Sequence, residues 1–194
     1  MPLSSSKRVG LFHVPMIQAV ADLPHKEIEM YVRERMDAHK SYTSYYDLEF
    51  NKDLLKDLPH RKEMESQMRE LSIQYLKMRG APQKIWVDTI PFCWFSVYNE
   101  GDNHCLHNHP AAAVAGTYYP YADEESVPIR FKHPSSVLIQ MSDLNFKEEL
   151  WHFQKVHTGD MNVWPPWLEH QVGTQSKVDH AKERIAISFN FGKA

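Results

Sequence analysis

With 194 residues, 42% of them hydrophobic and 24% charged, the chain has the size and balance of one ordinary globular domain with a substantial core. A formal charge of −3 gives no electrostatic reason to expect nucleic acid or an anionic membrane as partner, and no apolar run nears the roughly 20 residues that span a bilayer. The opening Met1–Arg8 lacks the apolar segment of a signal peptide, and two cysteines, Cys93 and Cys105, make no disulfide framework, so a reducing cytoplasm is the expected compartment.

In chain order, Val9 to Met16 reads as a short apolar strand ending at Pro15. Asp22 can cap a helix with Pro24 in its first turn, and Ile28, Tyr31, Val32 and Met36 then recur at helical spacing. Tyr42 to Tyr46 is a loop or edge strand. Met64, Met68, Leu71, Tyr75 and Met78 form the stripe of a second helix, with Gly80 and Pro82 to stop it. Such a Met-rich stripe reads as a core-facing side, with the intervening charges solvated.

From Lys84 the texture changes. Lys84–Asp88, Phe92–Tyr98, Ala113–Tyr119, Ile129–Lys132, Val137–Met141, Met161–Trp164 and Arg184–Phe191 are short runs of branched and aromatic residues, most of them punctuated by Gly, Pro, Asn or Asp. Without helices between them, a parallel sheet is excluded in favour of an antiparallel sandwich or closed jelly roll. Ser142 to His157 reads as an insertion between strands. The expected organisation is a single domain, 1–194, in which a helical part, 1–83, supports a jelly-roll core, 84–194, and contributes to substrate recognition.

The chemistry concentrates in Gly101-Asp102-Asn103-His104-Cys105-Leu106-His107-Asn108-His109-Pro110. On an extended strand His107 and His109 point the same way, and His170, in Trp164-Pro165-Pro166-Trp167-Leu168-Glu169-His170, can close a triangle around one transition metal. The pair is expected at the end of the strand running through Tyr98. On the last strand Ile185, Ile187, Phe189 and Phe191 alternate with Arg184, Ala186, Ser188 and Asn190. A polar face carrying an arginine makes sense if it lines a cavity where Arg184 meets a carboxylate.

Pro91 to Phe191 resembles the iron(II)- and 2-oxoglutarate-dependent oxygenases, in particular a prolyl-hydroxylase-like branch. The resemblance rests on Tyr98-Asn99-Glu100-Gly101 before His107-Asn108-His109-Pro110, on Ala115-Gly116-Thr117-Tyr118-Tyr119, on Gly159-Asp160 through Pro165, Trp167, Leu168 and His170, and on Arg184 to Asn190. It implies a mainly β fold with N-terminal helices, a double-stranded β-helix (jelly roll, cupin-like barrel). It further implies iron(II) on His107, His109 and His170, and 2-oxoglutarate bound by Arg184 with help from Ser188 and Tyr118. The implied activity is that of a dioxygenase that decarboxylates 2-oxoglutarate to succinate and hydroxylates a small-molecule, amino-acid or peptidyl substrate, with a homodimer possible. Two departures stand out: His109 occupies a position where most of the superfamily carries Asp or Glu, and Ala186 stands where some relatives carry serine.

The same residues also resemble the two cupin motifs: Gly101 then His107-x-His109, and Gly159, Pro165 then His170. Against a typical cupin, no glutamate follows His109 closely and Trp167 stands in a glycine position. A cupin-type metal enzyme (thiol dioxygenase or isomerase) and a non-catalytic jelly-roll binding protein are therefore the alternatives.

Overall fold

A computed structural model describes residues 14–37, 39–82, 90–137, 150–174 and 184–192. In these segments the chain forms β1 (Ile17–Val20), α1 (His25–Asp37), α2 (Leu48–Lys56), α3 (Arg61–Met78), β2 (Phe92–Tyr98), β3 (His104–His107), β4 (Val114–Tyr121), β5 (Ile129–Lys132), β6 (Trp151–Gln154), β7 (Asp160–Trp164), β8 (His170–Val172) and β9 (Arg184–Phe191). The strands make two antiparallel sheets, one of order β1-β7-β4-β9-β2 and one of order β3-β8-β5-β6. This is the double-stranded β-helix expected from the sequence, mainly β with helices ahead of it. Among the described residues no helix is long and apolar enough to cross a membrane.

The helices form where apolar residues recur on one side. In α1, Ile28, Val32 and Met36 are buried at four-residue steps; in α3, Met64, Met68, Leu71 and Tyr75 are buried and Met78 is exposed. Burying side chains of this size contributes roughly 1.5–3 kcal/mol each. They meet Phe95, Val97, Val114, Tyr118, Met161, Val163, Ile185, Ile187, Phe189 and Phe191 from one face of the larger sheet. Asp22 does not cap α1. Its N–H and C=O are taken by Gln67 of α3 at 2.9 and 2.8 Å, while Pro24 O receives the N–H groups of Glu27 and Ile28. The sequence reading had missed α2, although Asp47 caps it by accepting the Phe50 N–H at 3.0 Å.

The other face of the larger sheet looks at the smaller sheet. Tyr98, Ala115, Tyr119, Trp164 and Ala186 meet Ile129, Phe131 and Val172 in a second core. The free edge of β2 is covered rather than left open. Tyr42 O accepts from Val97 N at 2.8 Å, and Ser44 N donates to Phe95 O at 2.9 Å. The residues 42–46 therefore act as edge cover.

Several expectations need correction. The first described strand is Ile17–Val20, paired with β7, and not Val9–Met16, most of which lies outside the described residues. Lys84–Asp88, and Val137–Met141 beyond Val137, also lie outside them. Ser142–His157 is not simply an insertion: Trp151–Gln154 pairs with β5 as an edge strand, its alternation hidden by charged and polar neighbours. Finally, the strand through Tyr98 does not reach the histidines. It turns at Asn99–Asp102, and His107 ends a separate strand, β3.

Candidate metal centre

His107 and His170 sit opposite one another in the β3–β8 register, with ring centroids 4.3 Å apart. The ladder is irregular between His104 and His107, and such a bulge re-aims side chains out of strict alternation. Both imidazoles thereby line the same cavity, although their three-residue spacing on a regular strand would put them on opposite faces. His109 lies beyond the strand end, so the shared-face argument does not place it. Its backbone N–H donates to Pro166 O at 2.8 Å, and its ring lies 5.1 Å from His107 and 5.0 Å from His170. The loop before His170 thus carries the anchor for His109 as well.

Each ring uses Nδ1 to hold itself in place. Nδ1–H of His107 donates to Cys105 O at 2.8 Å, that of His170 to Leu168 O at 2.8 Å, and that of His109 to Asn190 Oδ1 at 2.7 Å. With the proton on Nδ1, every Nε2 keeps its lone pair. The donor atoms of the three residues lie within 4.8 Å of one another, and Nε2 of His109 and of His170 are 3.2 Å apart. Two lone pairs at that separation repel, and a cation between them removes the repulsion. Burial keeps the rings neutral. It pushes His109 down to about 4, helped by His107 and opposed by the Asn190 bond. It also lowers His107, and lowers His170 well below the ordinary imidazole value, with His107 adding to the effect. Three neutral, pre-oriented imidazoles of this kind can hold one metal ion.

Arg184 lies in the same cavity with 1% of its surface exposed. Its guanidinium carbon is 4.8 Å from the Tyr98 ring centroid and 5.2 Å from that of Tyr119, and Nη1 donates to Val127 O at 2.6 Å. Among the described residues Nε has no hydrogen-bond partner and no carboxylate lies within ion-pair distance.

Ser188 lines the cavity and its hydroxyl is 3.3 Å from that of Thr117. Tyr118 does not line it. It belongs to the helix-side core, where its hydroxyl meets His25 Nδ1 at 2.7 Å. Strand alternation is the reason: on β4, Thr117 and Tyr119 face the cavity and Tyr118 faces away. The tyrosines beside Arg184 are Tyr119, whose buried hydroxyl has no hydrogen-bond partner among the described residues, and Tyr98. Nothing in the sequence pairs Asn190 with His109 or singles out His104. His104 lines the cavity, its Nδ1 3.0 Å from the Tyr42 hydroxyl and 3.4 Å from that of Tyr98, and burial pushes it down to about 4. The two-residue period already puts Asn190 on the face of Arg184, and the same period applied to β4 puts Tyr119 beside Thr117 on the cavity side. The bulge that turns His104 inward leaves no mark in the sequence.

Residues 92–190 match the family model described as "Putative 2OG-Fe(II) oxygenase", a span of just over half the chain. The chain belongs to this family of oxygenases, whose cofactors are iron(II) and 2-oxoglutarate. Solved structures agree on the fold. A prolyl-4-hydroxylase from Pseudomonas putida superposes with a TM-score of 0.61 at 13% identity, over 93% of this chain and 94% of the other. The non-heme alpha-ketoglutarate-dependent epimerase SnoN from nogalamycin biosynthesis gives 0.57 at 14%, over 93% and 79%. HygX from Streptomyces hygroscopicus, solved with nickel and 2-oxoglutarate bound, gives 0.54 at 10%, over 93% and 83%. No curated protein matches the chain.

Proposed function

We propose that the protein is an iron(II)- and 2-oxoglutarate-dependent dioxygenase that hydroxylates a C–H bond of an amino-acid, peptidyl or other small-molecule substrate and releases succinate. The observation that carries this reading is a pairing in one cavity: three imidazole nitrogens lie within 4.8 Å of one another, and a buried arginine there has an Nε with no partner among the described residues. The first suits a divalent cation and the second a carboxylate. HygX, with a metal and 2-oxoglutarate bound in a related fold, supports reading the two features together.

His107, His109 and His170 are the ligands in this reading, and their Nδ1–H bonds fix the rings before any metal arrives. Arg184 receives the far carboxylate of 2-oxoglutarate, with the Tyr119 hydroxyl as a second donor and Ser188 on the same wall. A buried guanidinium stacked between two phenol rings cannot swing away, so it orients what it binds. Trp94 and Trp164 close the walls and keep water out. Iron(II) with 2-oxoglutarate and O2 supplies the oxidising chemistry. The chain's residues bind, orient and exclude.

Anaerobic titration with iron(II) and then 2-oxoglutarate tests this. The wild-type protein is expected to give the weak visible charge-transfer band of a keto-acid chelate and, in air, to form succinate. His170→Ala should give neither. No band at saturating iron would sink the proposal.

A further inference from the structure

The three imidazoles are not held alike. His107 and His170 each donate Nδ1–H to a backbone carbonyl two residues earlier, a local bond that any sequence could supply. His109 donates to a side chain 81 residues away, Oδ1 of Asn190 on β9, at 2.7 Å. Asn190 sits on the polar face of that strand, six residues from Arg184 and on the same side. His109 is also the ring that stands where the wider superfamily carries a carboxylate.

We propose that Asn190 is the positioning residue of the site: its amide oxygen fixes the tautomer of His109 and sets how strongly that ring donates to the metal. This rests on the metal-site reading above. An amide accepts the Nδ1 proton without burying a charge, so His109 stays a neutral imidazole and the site carries no ligand anion. A carboxylate in the same place would pull harder on that proton and return one negative charge to the neighbourhood of the metal. Without an acceptor the proton is free to move to Nε2, which removes the lone pair from the centre. β9 then serves both ends of the cavity, with Arg184 for the keto acid and Asn190 for the metal.

The test uses the full-length protein stripped of metal and titrated with cobalt(II), read by the visible absorption of the bound ion, with thermal melts to verify folding. Asn190→Leu, which keeps the volume and loses the acceptor, should weaken cobalt(II) binding about 10- to 100-fold. Asn190→Asp should bind at least as tightly as wild type and shift the iron(III)/iron(II) potential downward. A purely structural role for Asn190 would leave that potential unmoved. Cobalt(II) affinity of Asn190→Leu within twofold of wild type overturns the assignment, as does Asn190→Asp binding as weakly as Asn190→Leu. If Asn190→Leu does not fold, the Asn190→Asp potential decides alone, and equality with wild type overturns the proposal. Loss of cobalt(II) binding by wild type itself would instead remove the metal-site reading and this assignment with it.

Discussion

The two faces of the five-stranded sheet are built from alternate residues of the same strands, yet they differ in how completely their polar groups are satisfied. On the helix side, Ile185, Ile187, Phe189 and Phe191 of β9 join Val114 and Tyr118 of β4 in an apolar layer under α1 and α3. Its buried hydroxyl from the sheet, Tyr118, is bonded to His25. Among the described residues, Asn162, Tyr119, Trp164 and Arg184 on the cavity side each hold a buried polar atom without a hydrogen-bond partner, whereas on the helix side Tyr75 of α3 is in that condition. Leaving such a group unmade costs roughly 1–3 kcal/mol. A fold tolerates several of them on one face when that face is completed by something it binds. The contrast separates the residues that pack the sheet against the helices from those on its cavity-facing side.

If the helix side is purely structural, a large side chain buried there should matter only to folding. Phe189 is fully buried, and its ring fills the space over Gly116, where an added Cβ would collide with it and would stand 2.7 Å from Asn162 O. Phe189→Ala should lower the unfolding free energy by about 3–5 kcal/mol. Urea denaturation of the metal-free protein measures this. The folded fraction should still bind cobalt(II) with wild-type affinity, because the deleted ring faces away from the histidines. A comparable loss of metal affinity would mean that the two faces are not separable.

The same contrast explains what the sequence could and could not disclose. The helix face was legible in the alternation of β9 and the Met stripe of α3, because burial of one face imposes a period that survives in residue types. The clustering of His107, His109 and His170 was legible because a His-x-His pair and a distant His in motif order pick out three of the chain's 12 histidines. What failed was geometry that depends on irregularity. The bulge of β3 brings in His104, and the Pro166 carbonyl holds His109 beyond its strand; neither has a residue signature. The resemblance points to Tyr118, whereas strand period turns its neighbour Tyr119 toward the cavity. β6 was hidden because an edge strand with one solvated side need not be apolar.

Arg184 offers a sharper probe, since folding and binding should respond in opposite directions. Replacing it by methionine removes a buried guanidinium whose Nε is unpaired and substitutes an apolar chain of similar reach. The metal-free Arg184→Met protein should melt no lower than wild type, by calorimetry. Its binding of 2-oxoglutarate should weaken by about 2–5 kcal/mol, the range for truncating one partner of a buried charge pair. Weaker folding with unchanged 2-oxoglutarate binding would return Arg184 to a structural role.

The smallest effect gives the finest discrimination, because Tyr118 and Tyr119 are adjacent, both fully buried, and differ only in the face they occupy. Tyr118→Phe deletes the hydroxyl bonded to His25 and should cost about 0.5–1.5 kcal/mol of stability, with 2-oxoglutarate binding unchanged. Tyr119→Phe deletes a hydroxyl with no hydrogen-bond partner among the described residues, so the metal-free fold should keep or slightly gain stability. Its affinity for 2-oxoglutarate should fall by about 1.5–3 kcal/mol, the value of a hydrogen bond to a charged group. Paired melts and binding titrations on the two variants are enough. A stability loss in Tyr119→Phe equal to that in Tyr118→Phe, with neither altering 2-oxoglutarate affinity, would show that the unpaired hydroxyl is not kept for a ligand, and strand face would then no longer predict role on β4.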